Sequence, residues 1–342
     1  MRFSNRRIGN RTTVSCAMLI AAAGVGRNAM ADQVEAWGQN DYGQIGDGTT
    51  QNRLSPTPVS GLTNVTAASA GIFGTLAIQN GAAYGWGYNG YGEVGDGTMA
   101  MRLAPVAVEL LTTGVTAVSA GEYHSLAIDN GAVYAWGDNQ YGQLGNGTTS
   151  NSSIPVMVTG LGPGVSMVSA AAFHNLALLN GGVYSWGYNG IGELGDGTSV
   201  NRPAPVAVTN LSSGVTFIAG YSADSAAIQN GALYTWGRGV EGELGNGTTA
   251  NSLVPVPVTG LSSDVTAAAG GFHFSMALRN GNVYACGAND GGVLANSSTS
   301  FQTTPLEIDP TDLNSIIANA AVDDDAYALS SNGSLWVWGG LV

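Results

Sequence analysis

A segment that ends in Trp-Gly recurs along the chain with a period of about fifty residues, and this period constrains the fold more than any other feature. The segment keeps its tryptophan in six copies and has cysteine in one: Trp37, Trp86, Trp136, Trp186, Trp236, Cys286 and Trp338. Such a period is typical of repeat architectures, in which each repeat is one supersecondary unit packed against its neighbours. We therefore predict that the six tryptophans are structural anchors, each filling the gap to the next repeat.

Each repeat contains four strand-like segments, which are clearest in residues 115–158. They are Val115–Ala120, His124–Ile128, Ala132–Gly137 and Ile154–Val158. Asn130-Gly131 between the second and third segments indicates a type I′ hairpin turn, because both central residues of that turn need positive φ. The same dipeptide recurs at Asn80-Gly81, Asn180-Gly181, Asn230-Gly231, Asn280-Gly281 and Asn332-Gly333. Proline in the fourth segment places that segment at a sheet edge. The pattern predicts an all-β fold, a β-propeller of four-stranded blades.

The number of blades stays open between six and seven. Seven segments end in Trp-Gly or its cysteine variant, but only six copies of each other segment are present. Six blades close if residues 34–59 complete the unit that begins near Ile316. Seven blades close if about forty further residues supply three more strands, one repeat being about fifty residues long. The end at Val342 favours the expectation that the chain is truncated there.

The repeats resemble those of the regulator of chromosome condensation family. The resemblance rests on residues 130–147, which read NGAVYAWGDNQYGQLGNG, and on HSLAI at residues 124–128, and it extends over residues 33–339. It implies a β-propeller. The eukaryotic namesake of the family is a nuclear guanine-nucleotide exchange factor on chromatin. The chain looks closest in kind to exported bacterial members, such as the second type of β-lactamase inhibitory protein, and this resemblance implies docking on a target protein through an aromatic-rich face.

Residues 1–31 lie outside the repeats and have the features of a secretory signal peptide. The start is basic, residues 12–25 are mostly small and apolar, and Ala29-Met30-Ala31 fits a cleavage site. The basic residues at this start are Arg2, Arg6, Arg7 and Arg11. The apolar run is too short for a membrane span. We expect export to the periplasm or the medium, with residues 32–342 forming the propeller domain.

The charge of the chain disfavours nucleic acid as a partner. The chain has ten arginines and no lysine, and five of the arginines precede residue 31. From residue 32 onward, five arginines stand against 23 acidic residues, so the net charge there is 5 − 23 = −18. Nucleic-acid affinity comes mainly from Lys and Arg contacts to phosphates. A surface of this charge favours solubility and rapid encounter with basic partners, and we expect a monomer.

Three kinds of repeated polar residue are candidates for chemistry, and each has a structural interpretation. The histidines are His124 and His174 at equivalent positions at the start of the second segment, with His273 one place off. The carboxylates are Asp47, Asp96 and Asp196 in Gly-Asp-Gly-Thr loops, and Glu93, Glu193 and Glu243 in the loop after Trp-Gly. Histidine at that place is a structural element in the family that the chain resembles. One carboxylate per repeat falls short of the oxygen ligands that calcium takes, and Asx-Gly pairs suit tight turns. Glycosidases need one asymmetric carboxylate pair, so repeated glutamates fit structural hydrogen bonds better. We predict no catalytic residue, metal or cofactor, and no enzymatic activity.

Residues that break the period are better candidates for recognition, because constraints of the scaffold repeat and recognition need not. Aromatic and acidic residues of this kind occur just before the second segments, in loops that should open on one face. The candidate partner-binding residues are Phe73, Glu122, Tyr123, Phe173, Tyr221, Phe272 and Asp324. Tyrosines after Trp-Gly are expected to pack between blades. We predict an exported, non-enzymatic propeller that binds another protein through this face. The alternatives are a propeller that binds carbohydrate or a surface polymer, and a regulator resembling the guanine-nucleotide exchange factor.

Overall fold

The structure is a computed structural model that describes residues 17–20, 34–289, 291–296, 298–308, 313 and 315–340. Every regular element in these residues is a β-strand, as the repeats predict. The predicted signal peptide lies outside the described residues, except for the strand Ala17–Ile20. No helix in the described parts of the chain has the length and apolar content needed to cross a membrane.

The strands occupy four positions in the sheets, counted outward from the axis of the molecule. The inner strands are Val65–Ala70, Val115–Ala120, Val165–Ala170, Val215–Gly220, Val265–Gly270 and Ile316–Val322. The second strands are Ala17–Ile20, Gly74–Gln79, His124–Asp129, His174–Leu179, Asp224–Gln229, Phe274–Arg279 and Asp325–Ser330. The third strands are Val34–Gly38, Ala82–Gly87, Ala132–Gly137, Gly182–Gly187, Ala232–Gly237, Asn282–Gly287 and Leu335–Gly339. The outer strands are Arg53–Pro58, Arg102–Ala107, Ser152–Met157, Arg202–Ala207, Ser252–Pro257 and Gln302–Glu307.

Antiparallel pairing joins these strands into seven sheets. Five sheets have four strands in the order inner, second, third, outer. The first sheet consists of Ala17–Ile20, Val34–Gly38 and Arg53–Pro58, and the last sheet of Ile316–Val322, Asp325–Ser330 and Leu335–Gly339. Among the described strands, those that contain proline pair on one side only, which confirms their edge position. The architecture confirms the predicted β-propeller.

Small residues in the inner strands allow neighbouring sheets to approach each other closely at the axis. Inner strands of successive sheets contact one another. The Ser69 hydroxyl accepts a hydrogen bond from the backbone N–H of Ala120 in the next inner strand, at 3.0 Å. Ser119 and Ser169 do the same for Ala170 and Gly220, both at 2.9 Å. These side-chain bonds join one sheet to the next where no β-ladder connects them.

The Asn-Gly hairpins have the predicted turn geometry, with one exception. Asn130 has φ 48° and Gly131 has φ 79°, as a type I′ turn requires. In the last sheet, Asn332 is not among the described residues with positive φ. There Ser330 N–H bonds to Ser334 C=O at 2.9 Å, which encloses a three-residue loop. The prediction of a type I′ turn at residues 332–333 is therefore wrong, because the loop is one residue longer.

Five of the six tryptophans anchor their sheet to the one before it, which reverses the predicted direction; Trp37, in the first sheet, is half-buried. Trp86, Trp136, Trp186 and Trp236 are fully buried. Each indole N–H donates to a loop carbonyl of the preceding sheet, as from Trp186 to Gln143 at 2.8 Å. Trp338 donates in the same way to Val293 at 2.7 Å. Cys286 places its thiol 3.6 Å from the Glu243 carbonyl, so the missing indole leaves only a weak contact there.

Candidate partner-binding face

Two sets of loops share one face of the propeller, because second and third strands pair as antiparallel hairpins. Gly74 pairs with Gly87, so the loop before a second strand lies beside the loop after Trp-Gly. The backbone N–H of Tyr88 bonds to Phe73 C=O at 2.9 Å. Gly87 has φ 107°, and a Cβ there would lie 2.5 Å from the Phe73 carbonyl oxygen, which explains the glycine of Trp-Gly. We call the surface formed by both sets of loops the loop face.

The loops before the second strands surround an axial funnel of about 340 Å³. Its wall includes Ile72, Phe73, Glu122, Ala172, Tyr221, Phe272 and Asp323. Four of the seven sequence-predicted binding residues therefore surround one opening, and exposed Asp324 lies in the last of these loops. Phe272 is 47% exposed and Ile72 is 45% exposed, so two large apolar side chains are open to a partner at this rim.

Tyr221 differs from the other predicted binding residues because its side chain is buried. It is 6% exposed, and its ring occupies the space beside Gly270, where a Cβ would lie 2.4 Å from it. Burial raises the pKa of this phenol well above its usual value. Among the described residues its hydroxyl has no hydrogen-bond partner. Tyr221 therefore shapes the wall of the funnel and leaves little of its ring for a partner to touch.

Beside the funnel, aromatic rings from neighbouring sheets form one continuous cluster, which we call the aromatic patch. It consists of Tyr42, Phe73, Tyr88, Tyr91, Tyr123, Tyr141, Phe173 and Tyr188. Neighbouring ring centroids lie between 4.9 Å, for Tyr141 and Tyr188, and 6.4 Å, for Tyr123 and Phe173. Three of these rings were predicted at the binding face, and five were predicted only to pack between blades. The hairpin pattern in the sequence could have predicted that these five rings join the binding face. An antiparallel hairpin places the loop before the second strand beside the loop after the third strand.

Part of the aromatic patch encloses a cavity of about 120 Å³, which we call the aromatic pocket. Its lining consists of Tyr42, Phe73, Tyr88, Tyr91 and Tyr123. The Tyr88 ring centroid is between 5.2 and 6.4 Å from those of the other four. Tyr91 is 39% exposed, so the pocket is open to solvent on that side. The arrangement is a concave aromatic surface contributed by three successive sheets.

Two carboxyl groups adjoin the aromatic pocket. Glu93 is buried, and one carboxylate oxygen accepts the backbone N–H of Tyr91 at 2.8 Å. Burial, with a smaller contribution from Asp138, raises the pKa of Glu93 to about 7. Burial also raises the pKa of Glu122, against a hydrogen bond from Tyr123 that lowers it. Burial and the neighbouring Glu122 raise the pKa of Tyr123 to about 12, so its phenol stays protonated.

The opposite side of the loop face is charged. Arg238 pairs with Glu241 at 3.3 Å and also with buried Glu243. His273 places Nδ1 3.0 Å from the Glu241 carboxylate. Asp323 and Asp324 lie in the corresponding loop of the last sheet. The loop face is therefore aromatic on one side and charged on the other, and this division does not follow the repeat.

The two buried histidines have structural positions. His124 Nε2 lies 2.7 Å from Asn175 Oδ1, and His174 Nε2 lies 2.8 Å from Ser225 Oγ. Each pair joins the second strands of adjacent sheets. Burial lowers the pKa of His124 to about 4 and that of His174 to about 3, so both imidazoles are neutral near pH 7. The structural interpretation of this position is confirmed.

The repeated carboxylates close turns. The Asp196 carboxylate accepts the Thr198 N–H at 2.9 Å and pairs with Arg202 at 2.8 Å. Asp47 and Asp96 make the equivalent contacts, and the pKa of all three is lowered by hydrogen bonds and arginine despite their burial. The repeated Glu or Gln accepts the backbone N–H two residues before it. Within the described residues, no group of three or more His, Cys, Asp and Glu side chains is placed to hold a metal ion.

Comparison of the sequence with protein families identifies the repeat. The model described as the regulator of chromosome condensation (RCC1) repeat matches residues 32–78, 80–128, 130–178, 180–222 and 230–278. A second model of the same description matches residues 115–143. The chain belongs to the RCC1 repeat family. No curated protein sequence matches it.

Solved structures of this kind share the fold of the chain. Human WBSCR16 superposes with a TM-score of 0.76 at 24% identity, covering 88% of this chain and 82% of that one. Yeast RCC1 (Prp20), in a complex with Kap60, superposes with a TM-score of 0.79 at 20% identity, covering 90% and 78%. Prp20p from Saccharomyces cerevisiae superposes with a TM-score of 0.70 at 23% identity, covering 85% and 76%. At these identities the likeness concerns the fold alone.

Proposed function

We propose that this chain is an exported, non-enzymatic RCC1-repeat propeller that binds another protein through the loop face. The observation that carries the proposal is the aromatic patch, a continuous set of rings that is confined to the first four sheets and lies beside the axial funnel. Clustered aromatic residues on a surface are typical of protein-binding hot spots. The candidate contact residues are Phe73, Tyr123, Phe173 and Phe272, with Glu122 and Asp324 as acidic neighbours.

Solved structures of RCC1-type propellers also describe protein binding. Yeast RCC1 (Prp20) is bound to Kap60 in one of them. Another concerns the binding properties of Prp20p to Gsp1p and histones. The formal net charge of this chain is −13, so electrostatic attraction would favour a partner with a basic surface.

A capture experiment tests the proposal. The full chain and a variant carrying Tyr123→Ala, Phe173→Ala and Phe272→Ala serve as parallel baits on an extracytoplasmic extract of the host. The matched control carries Leu110→Ala and Met157→Ala, which remove two exposed apolar side chains from the end of the blades opposite the loop face. We expect a partner that the wild type and the control retain and the triple variant loses. Equal capture by all three baits would contradict the proposed face.

Export is tested separately by sequencing the N-terminus of the protein recovered from each cell fraction. Cleavage after Ala31 predicts Asp32 as the first residue in an extracytoplasmic fraction. Cleavage would also remove the strand Ala17–Ile20, which pairs with Val34–Trp37 in the first sheet. Recovery of the chain only inside the cell, with residues 1–31 attached, would contradict export.

Carbohydrate or surface-polymer binding is the second candidate, because aromatic rings with nearby carboxylates also suit sugars. The exposed Tyr91 and the half-buried Tyr123 provide ring surface for stacking. Binding to a glycan array that Tyr123→Ala abolishes would favour this candidate. Protein capture without any glycan binding would favour the first.

A further inference from the structure

We propose that the aromatic pocket receives the guanidinium group of an arginine side chain on the partner. This inference rests on the proposed function and names the chemical group that the loop face recognises. The pocket is the concave site formed by Tyr42, Phe73, Tyr88, Tyr91 and Tyr123.

The five rings provide several aromatic faces in different orientations around one small space. Tyr42 stands at 85° to Phe73 and at 76° to Tyr88, and Tyr91 stands at 75° to Tyr123. An aromatic face carries negative electrostatic potential, so a cation over it is attracted. Arginine is the side chain most often found in this role, because its planar group also stacks. Four of the rings are tyrosines, whose hydroxyls can accept hydrogen bonds from guanidinium N–H groups.

The carboxyl groups beside the pocket favour a cation, and Glu93 becomes charged as the pH rises through about 7. Among the described residues, no arginine pairs with either carboxyl group. Glu93 and Glu122 adjoin the rings, and each interacts electrostatically with a tyrosine of the pocket. The arginines of the sheets that form the pocket, Arg53 and Arg102, are paired with Asp47 and Asp96. The chain has no lysine. Within the part of the chain that the structure describes, the three sheets that form the pocket therefore leave no unpaired cation for this site.

The size of the cavity favours a compact head group over a sugar ring. Its volume of about 120 Å³ is close to that of an engineered cavity of about 150 Å³ that binds benzene, a molecule of six heavy atoms. A guanidinium group has four heavy atoms and fits within that space. A hexopyranose ring with its hydroxyls has about twice as many heavy atoms as benzene, and pockets for whole ligands are larger, about 300 Å³ or more.

The test is an NMR titration of the intact protein with labelled tyrosine rings. The probe is N-acetyl-arginine amide, and N-acetyl-citrulline amide is its neutral isostere. We expect saturable shifts of the Tyr42, Tyr88, Tyr91 and Tyr123 ring signals with arginine at millimolar concentration. Citrulline should bind about tenfold more weakly, the factor that a cation–π contribution of about 1.4 kcal/mol produces.

Two variants and two further probes decide the outcome. Tyr91→Ala removes the exposed wall of the pocket and should abolish the arginine shifts, whereas Tyr188→Ala removes an aromatic ring outside the pocket and should leave them unchanged. Equal binding of arginine and citrulline, or binding of methyl glucoside in preference to arginine, would overturn the proposal. Stronger binding of N-acetyl-lysine amide than of arginine would overturn the choice of guanidinium.

Failure of this inference and failure of the proposed function give different results. Protein capture that depends on Tyr123, Phe173 and Phe272 but is unchanged in Tyr91→Ala would leave the loop face as the binding surface and overturn the arginine pocket. Loss of capture in Tyr91→Ala, with arginine-dependent shifts in the wild type, supports both. Arginine shifts without capture of any protein support the pocket and contradict the proposed face.

Discussion

At the scale of single residues, the ionisation of Glu93 should affect the free energy of unfolding near neutral pH. Its pKa is raised from 4.5 to about 7, mainly by burial, so the folded chain holds this proton more tightly than the unfolded chain. The resulting stabilisation is complete below about pH 4.5 and is lost as the pH rises through about 7. Glu93→Gln, the residue type at the equivalent positions 44 and 143, removes this loss. We expect the variant to gain up to about 3 kcal/mol over the wild type between pH 5 and pH 8, measured by urea denaturation.

The control for this prediction is Glu109→Gln in the same repeat, because Glu109 is exposed. The difference in the free energy of unfolding between Glu109→Gln and the wild type should change little between pH 5 and pH 8. Asp138→Asn should reduce the effect at Glu93, because Asp138 contributes to the raised pKa. A difference between Glu93→Gln and the wild type that is constant from pH 5 to pH 8 would show that Glu93 ionises in its ordinary range.

At the scale of the strand, the position before the glycine of Trp-Gly holds each sheet against the preceding one. Trp186 is fully buried in the core that also contains Leu144 and Val158. Trp186→Ala removes this packing and the hydrogen bond to Gln143 C=O, and should lower the free energy of unfolding by about 3–5 kcal/mol. Cys286→Ala at the equivalent position should cost only about 1 kcal/mol, because one sulfur atom is lost.

Urea denaturation of both variants checks this prediction. Cys286 lines a cavity of only about 10 Å³, so its neighbours already occupy most of the space that an indole fills elsewhere. Trp186→Ala therefore tests a contact between sheets that an indole fills, and Cys286→Ala tests a contact that is packed around a small side chain. Equal losses of stability would show that the indole is not the anchor.

The same comparison of elements shows how much the sequence predicts. The repeat period, the hairpin dipeptides and the proline strands predict the sheets, because each reflects a local backbone requirement. Whether a tryptophan contacts the preceding or the following sheet depends on how the sheets pack against each other. A local sequence pattern does not predict this packing. Tyr221 and Phe272 occupy loops of the same kind, yet one is buried and the other 47% exposed, because Gly270 leaves room for the Tyr221 ring. The aromatic pocket likewise depends on side-chain packing across three sheets.

At the scale of the whole molecule, stability should be uneven around the ring. Among the described strands, Leu335–Gly339 pairs only with Asp325–Ser330, whereas Ala232–Gly237 pairs with a strand on each side. Amides without a neighbouring strand open more readily, so hydrogen exchange measured by mass spectrometry should be at least about tenfold faster in residues 335–339 than in 232–237. Residues 282–287 are the control, because that strand lacks tryptophan but is paired on both sides. Slow exchange in residues 282–287, together with rapid exchange in residues 335–339, would show that the rapid exchange comes from the unpaired edge of the strand. Equal protection of all three segments would show that another part of the chain covers that edge.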